Sequence, residues 1–294
     1  MVAALLSCLS AAAAAQPCCA GPALLTPGRL TAHEDFLVGV QLKAGSIVGS
    51  FDSSGVFLNP SPGSSEYDLE EDLFGTVRVF SKGQVSLLVP ILESSRSVPG
   101  ISEFGAGLGD LTIGGRYDFL LAGESPIPGI ALLLGANLPT GRAPEASKLE
   151  LGSDATGTGS FQGTVGLAIE QSGETLFGNL TALLTQSAPR SVQGNTGMLG
   201  LQFRATAVAG RFWDNGMALA ATFGVAASAD AVLNGQTQLH SGRSETTVGV
   251  AGAWALGNVW RFQASVTDAL PIKGLGENQA VGWGVSLLVM RSWI

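Results

Sequence analysis

Cysteine is almost missing from this chain of 294 residues: three are present, Cys8, Cys18 and Cys19, and none follows. The body of the chain therefore has neither a cysteine-based zinc site nor a disulfide framework. Charge is sparse too, at 13% of residues, against roughly 25% in ordinary soluble domains. Basic residues are the scarcer sign. Fifteen Lys and Arg stand against 23 Asp and Glu, a formal charge of -8 that polyphosphate would repel, which excludes a nucleic-acid binder. Long apolar helices are absent as well. Beyond Arg29 the longest uncharged run, Ser125–Gly141, is broken by Pro126, Pro128 and Pro139, whereas a spanning helix needs about 20 apolar residues. What is present is apolar and flexible: 46% hydrophobic residues and 41 glycines. That composition excludes disorder and leaves a large buried sheet or a membrane protein.

The first charged residue is Arg29. Val2 to Ala15 is an Ala/Leu run that ends in Ala13-Ala14-Ala15, a small-x-small site ahead of Gln16. It reads as the core and cleavage site of a secretory signal over residues 1–15, followed by a periplasmic segment over 16–33. No Lys or Arg follows Met1, a departure from the usual signal, and a buried N-terminal helix is the competing reading. Pro17 ahead of Cys18 disfavours lipidation there.

An exported chain without a spanning helix can enter lipid only as a closed barrel, because open sheet edges leave backbone groups unsatisfied. The lettering agrees. In Asp110–Leu121, Leu111, Ile113, Tyr117, Phe119 and Leu121 alternate with Asp110, Thr112, Gly114, Arg116 and Asp118. Leu199–Arg211, Phe161–Glu170 and Trp283–Trp293 alternate in the same way. A soluble sandwich also alternates, but its polar face is rich in Lys and Glu; here that face is rich in Gly and Ala, as suits an enclosed interior. Twelve strands are expected, near 34–50, 67–80, 84–94, 104–121, 129–138, 159–170, 175–187, 197–211, 216–229, 244–256, 259–269 and 279–293. Connections between them alternate long and short. The expected fold class is all-β: a closed antiparallel transmembrane β-barrel over 34–294, with short periplasmic turns and long outer loops, in the bacterial outer membrane. Trp213, Trp254, Trp260 and Trp293 then fall at the periplasmic end and Trp283 at the outer end.

Gly109-Asp110-Leu111, Arg116-Tyr117 and Leu138-Pro139-Thr140-Gly141 occur in that order. The ordered set resembles a family of outer-membrane barrels described as "putative MetA-pathway of phenol degradation", or phenol-degradation-type transporters. The resemblance implies an exported barrel that passes small aromatic or apolar solutes.

Parity of the expected strands assigns Lys43, Arg78, Asp110, Thr112, Arg116, Asp118, Asn137, Glu170, Gln202, Arg204 and Gln263 to the lumen or its rim. Both charge signs occur, which gives a transverse field with weak net ion preference. Asp110 needs a partner, with Arg142, Asn137 or a loop N–H as candidates, and reads as a rim clamp rather than a solute site. No catalytic constellation is legible. His240-Ser241 lacks an orienting group, Phe104–Gly109 lacks the helix a nucleotide fingerprint needs, and Asp68, Glu70, Glu71 and Asp72 read as a hydrated strand mouth. The expectation is a channel or transporter for small solutes with no cofactor and no enzymatic role. Its partners are membrane lipid and a small solute. The alternative is a structural or partner-binding barrel with a plugged lumen.

Overall fold

The computed structural model describes residues 25, 27–122, 127–257 and 259–294. The signal expected over 1–15, and residues 16–24 of the segment after it, lie outside these. Twelve long strands form the wall: β1 Phe36–Phe51, β2 Ser65–Phe80, β3 Gly83–Val98, β4 Leu111–Leu120, β5 Gly129–Leu138, β6 Gln162–Ser172, β7 Leu176–Ser187, β8 Gln202–Phe212, β9 Met217–Ser228, β10 Arg243–Leu256, β11 Trp260–Ala269 and β12 Ala280–Trp293. Each pairs antiparallel with its neighbours in sequence, and β12 pairs with β1 from Phe36 opposite Trp293 to Ser50 opposite Ala280. The wall is closed, so no strand edge is left to face lipid.

Alternation decides which way each strand faces. On β1, Phe36, Val38, Val40 and Leu42 are exposed outward while Leu37 is wholly buried and Gln41 faces inward. On β6, Val165, Leu167 and Ile169 are exposed and Gln162, Thr164 and Glu170 are buried. A slip of one residue would turn every apolar side chain into the lumen, so the register is strongly specified. The periplasmic rim carries an aromatic girdle. Trp293 stacks obliquely on Phe36 with ring centroids 5.5 Å apart. Arg291 lies over Trp293 and Trp260, and Arg211 over Trp213. Trp283, at the outer end of the apolar band, pairs with Ser46 and Asp268. Indole rings suit both boundaries because the ring is apolar and its N–H seeks water.

Two expected boundaries are corrected. Residues 95–103 are not a loop. β3 continues to Val98, turns at Pro99-Gly100 and returns as Ile101–Leu108, with Gly100 supplying the positive φ of 91°. The single strand expected over 104–121 is accordingly broken at Gly109-Asp110: Ile101–Leu108 pairs only with β3, while β4 pairs with both β3 and β5. The cause is at Pro139. β5 ends at Leu138, and the backbone of the following loop takes the place of a paired strand beside Ile101–Leu108. A Cβ at Gly105 would lie 2.4 Å from the backbone of Ser153, so glycine there admits the loop. The second correction concerns 197–211. β8 begins at Gln202, and Asn195–Met198 belongs instead to a small loop sheet with Arg190–Val192, Val232–Leu233 and Gln236–Thr237. Its turns use positive φ at Gly194 and Gly235, and at the side-chain-tolerant Gln193 and Asn234.

Candidate functional site: the lumen

The lumen has a filled periplasmic half and a hollow outer half. Residues 27–34 enter the filled half and bond to the wall. Leu30 is buried among Leu37, Phe74, Leu88, Leu288 and Met290, an apolar cluster inside the barrel. The Leu30 N–H donates to Gln84 Oε1 at 2.9 Å, and Thr76 Oγ1 donates to the Gly28 carbonyl at 3.3 Å. Arg78 donates to the carbonyls of Glu34 and Thr31. Arg261 pairs with Glu34 and also donates to the Arg29 carbonyl. An extended segment has no ladder of its own, so these wall side chains satisfy its backbone groups.

Arg29 ends in a ring of charge. It pairs with Glu170 and, at 3.2 Å, with Asp118. Arg116 reaches both carboxylates, at 2.7 Å to Asp118 and 3.0 Å to Glu170. Asn179 Nδ2 donates to the second oxygen of Glu170 at 3.0 Å. Two guanidinium groups thus share two carboxylates, all of them nearly buried. Removing one member leaves an unpaired charge, so Glu170→Leu should destabilise the barrel by about 3–5 kcal/mol. Urea unfolding in micelles checks this; a Glu170→Leu protein as stable as the parent would show that the ring contributes nothing.

The sequence-assigned residues separate into four groups. Arg78, Arg116, Asp118 and Glu170 hold the segment or the charge ring. Gln263 faces inward and is buried beside them in parity with Arg261. Lys43 pairs with Glu70 at 2.9 Å and with the wholly buried Asp72 at 2.7 Å. The acidic run read as a hydrated strand mouth is divided between the two faces: Glu70 and Asp72 turn inward to Lys43, and Glu71 opposes Leu42 and Ile91 on the outer face. Thr112, Asn137, Gln202 and Arg204 line the hollow half, with Thr112 Oγ1 within 3.4 Å of Asn137 Oδ1. Asp110 stands at the rim. Its carboxylate accepts from the N–H of Gly141 at 3.0 Å, from the N–H of Thr158 at 2.7 Å and from the Thr158 hydroxyl at 2.8 Å. Of the three candidate partners, the loop backbone is the one engaged. Arg142 pairs with Asp154 instead, and Asn137 with Thr112.

Sequence parity did not include Arg29, Leu30 and Thr31, which lie outside any expected strand, nor Glu34, which opens the expected strand 34–50 but precedes β1, which begins at Phe36. Arg261 was legible, two residues before Gln263 on the same face. His240 and Ser241 form no catalytic pair. The Ser241 hydroxyl donates to the Gln238 carbonyl at 2.6 Å and accepts from the Ala231 N–H at 2.9 Å. His240 has positive φ, and its carbonyl accepts from Asn278.

The hollow half is a cavity of about 610 Å³ beneath the loops that follow β7 and β9. Thr158, from the long loop between β5 and β6, lines its edge, and the body of that loop is pinned by Asp154. That carboxylate accepts from Ser147 Oγ and from the N–H groups of Lys148 and Leu149, and pairs with Arg142. The Ser147 hydroxyl first, then the backbone donors and the guanidinium, hold its carboxyl well below the usual carboxylate range. A depressed value means that the pin is fully present above the ordinary Asp pKa of about 3.9 and is lost as pH falls below it. Cleavage of residues 143–155 by pepsin should therefore be slow near pH 4 and accelerate with acidification. Asp154→Ala should be cut rapidly at every acidic pH; equal protection in that variant would refute the pin.

A closed antiparallel barrel with an apolar outer band, aromatic girdles and a polar interior defines a membrane-spanning channel-type fold. The model of the family described as "Putative MetA-pathway of phenol degradation" matches residues 52–288. The chain belongs to that family. Among solved structures, the COG4313 outer membrane channel from Pseudomonas putida F1 superposes with a TM-score of 0.74 at 14% identity, covering 88% of this chain and 96% of that one. The translocator domain of the autotransporter NalP from Neisseria meningitidis gives a TM-score of 0.50 at 12% identity, covering 88% of each chain. These likenesses concern the fold, which the chain shares with bacterial outer-membrane barrels. No curated protein matches it in sequence.

Proposed function

We propose that the barrel passes small, partly apolar solutes through its lumen, and that residues 27–34 are the gate. The observation that carries this reading is the division of the lumen into a hollow outer half and a periplasmic half filled by one extended segment. Twelve strands alone leave an interior of intermediate width, wider than the filled eight-stranded barrels and narrower than the water channels of sixteen. On this reading the segment closes the periplasmic exit while it is in place. With it withdrawn, a path remains.

The charge ring supports a segment that can leave. When Arg29 departs, Arg116 still contacts both Asp118 and Glu170. The single excess negative charge is then shared by two carboxylates on one guanidinium and meets the water that enters the vacated space, which lowers the cost the same charge would carry in the filled lumen. Leu30 contributes roughly 1.5–3 kcal/mol of burial, an amount that a solute or a partner can offset. Membership of the family and the likeness to a protein described as an outer membrane channel agree with passage.

Swelling of proteoliposomes in isosmotic benzyl alcohol or a short diol tests the reading. Purified protein should accelerate swelling over empty liposomes. A rate equal to the empty control, with heat-modifiable folded protein present in the bilayer, would contradict it.

A further inference from the structure

The arginines of this barrel are almost all claimed. Arg29, Arg78, Arg116 and Arg261 hold the segment and the charge ring. Those at the outer rim pair with acids, Arg96 with Glu66, Arg142 with Asp154 and Arg190 with Glu145. Arg211 and Arg291 lie on tryptophan rings. Two remain, Arg204 and Arg243, and both line the outer cavity. Among the described residues neither guanidinium takes part in an ion pair or a side-chain hydrogen bond. Both are solvent-exposed although their parity turns them into the lumen. Glu245 interacts electrostatically with Arg204 without bonding to it, and two such cations set against one acid inside a barrel are the arrangement that recognises an anion.

We infer that Arg204 and Arg243 form a binding site for a small organic anion, a carboxylate on an apolar body, in the outer cavity. The two arginines flank β9. Arg204 opposes Ala226, and Arg243 opposes Ser228. Only small side chains stand between them, so both planar forks can reach one carboxylate placed over β9. Glu245, opposite Ala226 on the other side, is the one acid lining the cavity, and it leaves the site with an excess of one positive charge. That balance suits a monoanion; a dianion would be opposed by the glutamate. Leu25, Leu183 and Leu199 supply an apolar wall for the body of the ligand. About 610 Å³ is enough for a molecule of one ring or a short chain. The inference deepens the passage reading, since it names the class of solute the cavity selects. It also bears on charge: the chain is acidic overall, with a formal charge of -8, and the local excess of positive charge from the two arginines favours entry of an anion.

Equilibrium dialysis of labelled benzoate against the full-length protein in neutral detergent tests the site. Benzyl alcohol is the uncharged counterpart with the same body. Benzoate should bind saturably and more tightly than benzyl alcohol, with affinity that falls as salt rises. Arg204→Gln and Arg243→Gln should each weaken benzoate about tenfold or more while leaving benzyl alcohol binding unchanged. Arg→Lys at either position should fall between, because charge is kept and the fork is lost. Heat-modifiable mobility on gels verifies that each variant is folded. Equal affinity for the two probes, or benzoate binding unchanged in both Gln variants, would overturn the site. Inorganic phosphate competing as well as benzoate would overturn the role given to the apolar wall. Binding and passage fail separately: benzoate bound without swelling contradicts the channel and leaves the site standing, and swelling without benzoate binding does the reverse.

Discussion

Deletion of residues 27–33 is expected to convert a protein with rare, brief openings in planar bilayers into one with steady ohmic conductance, a change of roughly an order of magnitude or more in mean current for a barrel of this width. The wall should survive, because strand pairing closes it from β1 to β12 independently of the segment. Arg116 still contacts Asp118 and Glu170, and the excess negative charge faces the opened, hydrated lumen. Glu34, retained in the deletion, keeps Arg261 paired. Leu30→Asp is a gentler form of the same test. It places a carboxylate among Leu37, Phe74, Leu88, Leu288 and Met290, a position where an unpaired charge is strongly disfavoured. The segment should be expelled while chain length is unchanged, so conductance should rise here too. If both variants stay as quiet as the parent, something other than this segment closes the lumen.

The second large effect is on the outer face. Val250 is 54% exposed on β10, whereas the next residue, Ala251, is wholly buried in the lumen. Val250 lies within the outward apolar band, so Val250→Arg should cost about 2–4 kcal/mol of unfolding free energy in a bilayer. Val250→Leu should be nearly neutral. Urea titration in phospholipid vesicles reads both. A Val250→Arg protein as stable as the parent would mean that this face does not meet acyl chains, and the assignment of outward and inward faces would fail with it.

Strand pattern and closure were legible because period-2 alternation is a local signal that each strand carries by itself. Val40 and Leu42 against Gln41 and Lys43 state the facing of β1 without reference to any other strand. The ends of the strands were less so. Where β4 breaks at Gly109-Asp110 depends on a loop from beyond Pro139 packing against Gly105, a contact between distant parts of the chain. Asn195–Met198 alternates like the strand it precedes, yet pairs with Val232–Leu233 from another loop. The lumen was legible by parity as a set of residues but not as a site. Arg116, Asp118 and Glu170 could be assigned inward, yet their fourth member, Arg29, belongs to a segment with no periodicity. Nor could parity distinguish arginines that are held by ion pairs or hydrogen bonds from the two in the outer cavity that are not. That distinction needs the positions of partners on strands far apart in sequence.

The gate itself is tested most directly by fastening it. Leu30→Cys and Leu288→Cys, at two positions of one apolar cluster, can be joined by a short disulfide-containing bis-thiol-reactive reagent in a chain carrying Cys18→Ser and Cys19→Ser. With the bridge formed, proteoliposomes should swell no faster than empty ones, and reduction should restore the rate of the unbridged protein. Bridged protein that passes solute as fast as reduced protein would contradict a path that runs through the space occupied by residues 27–34.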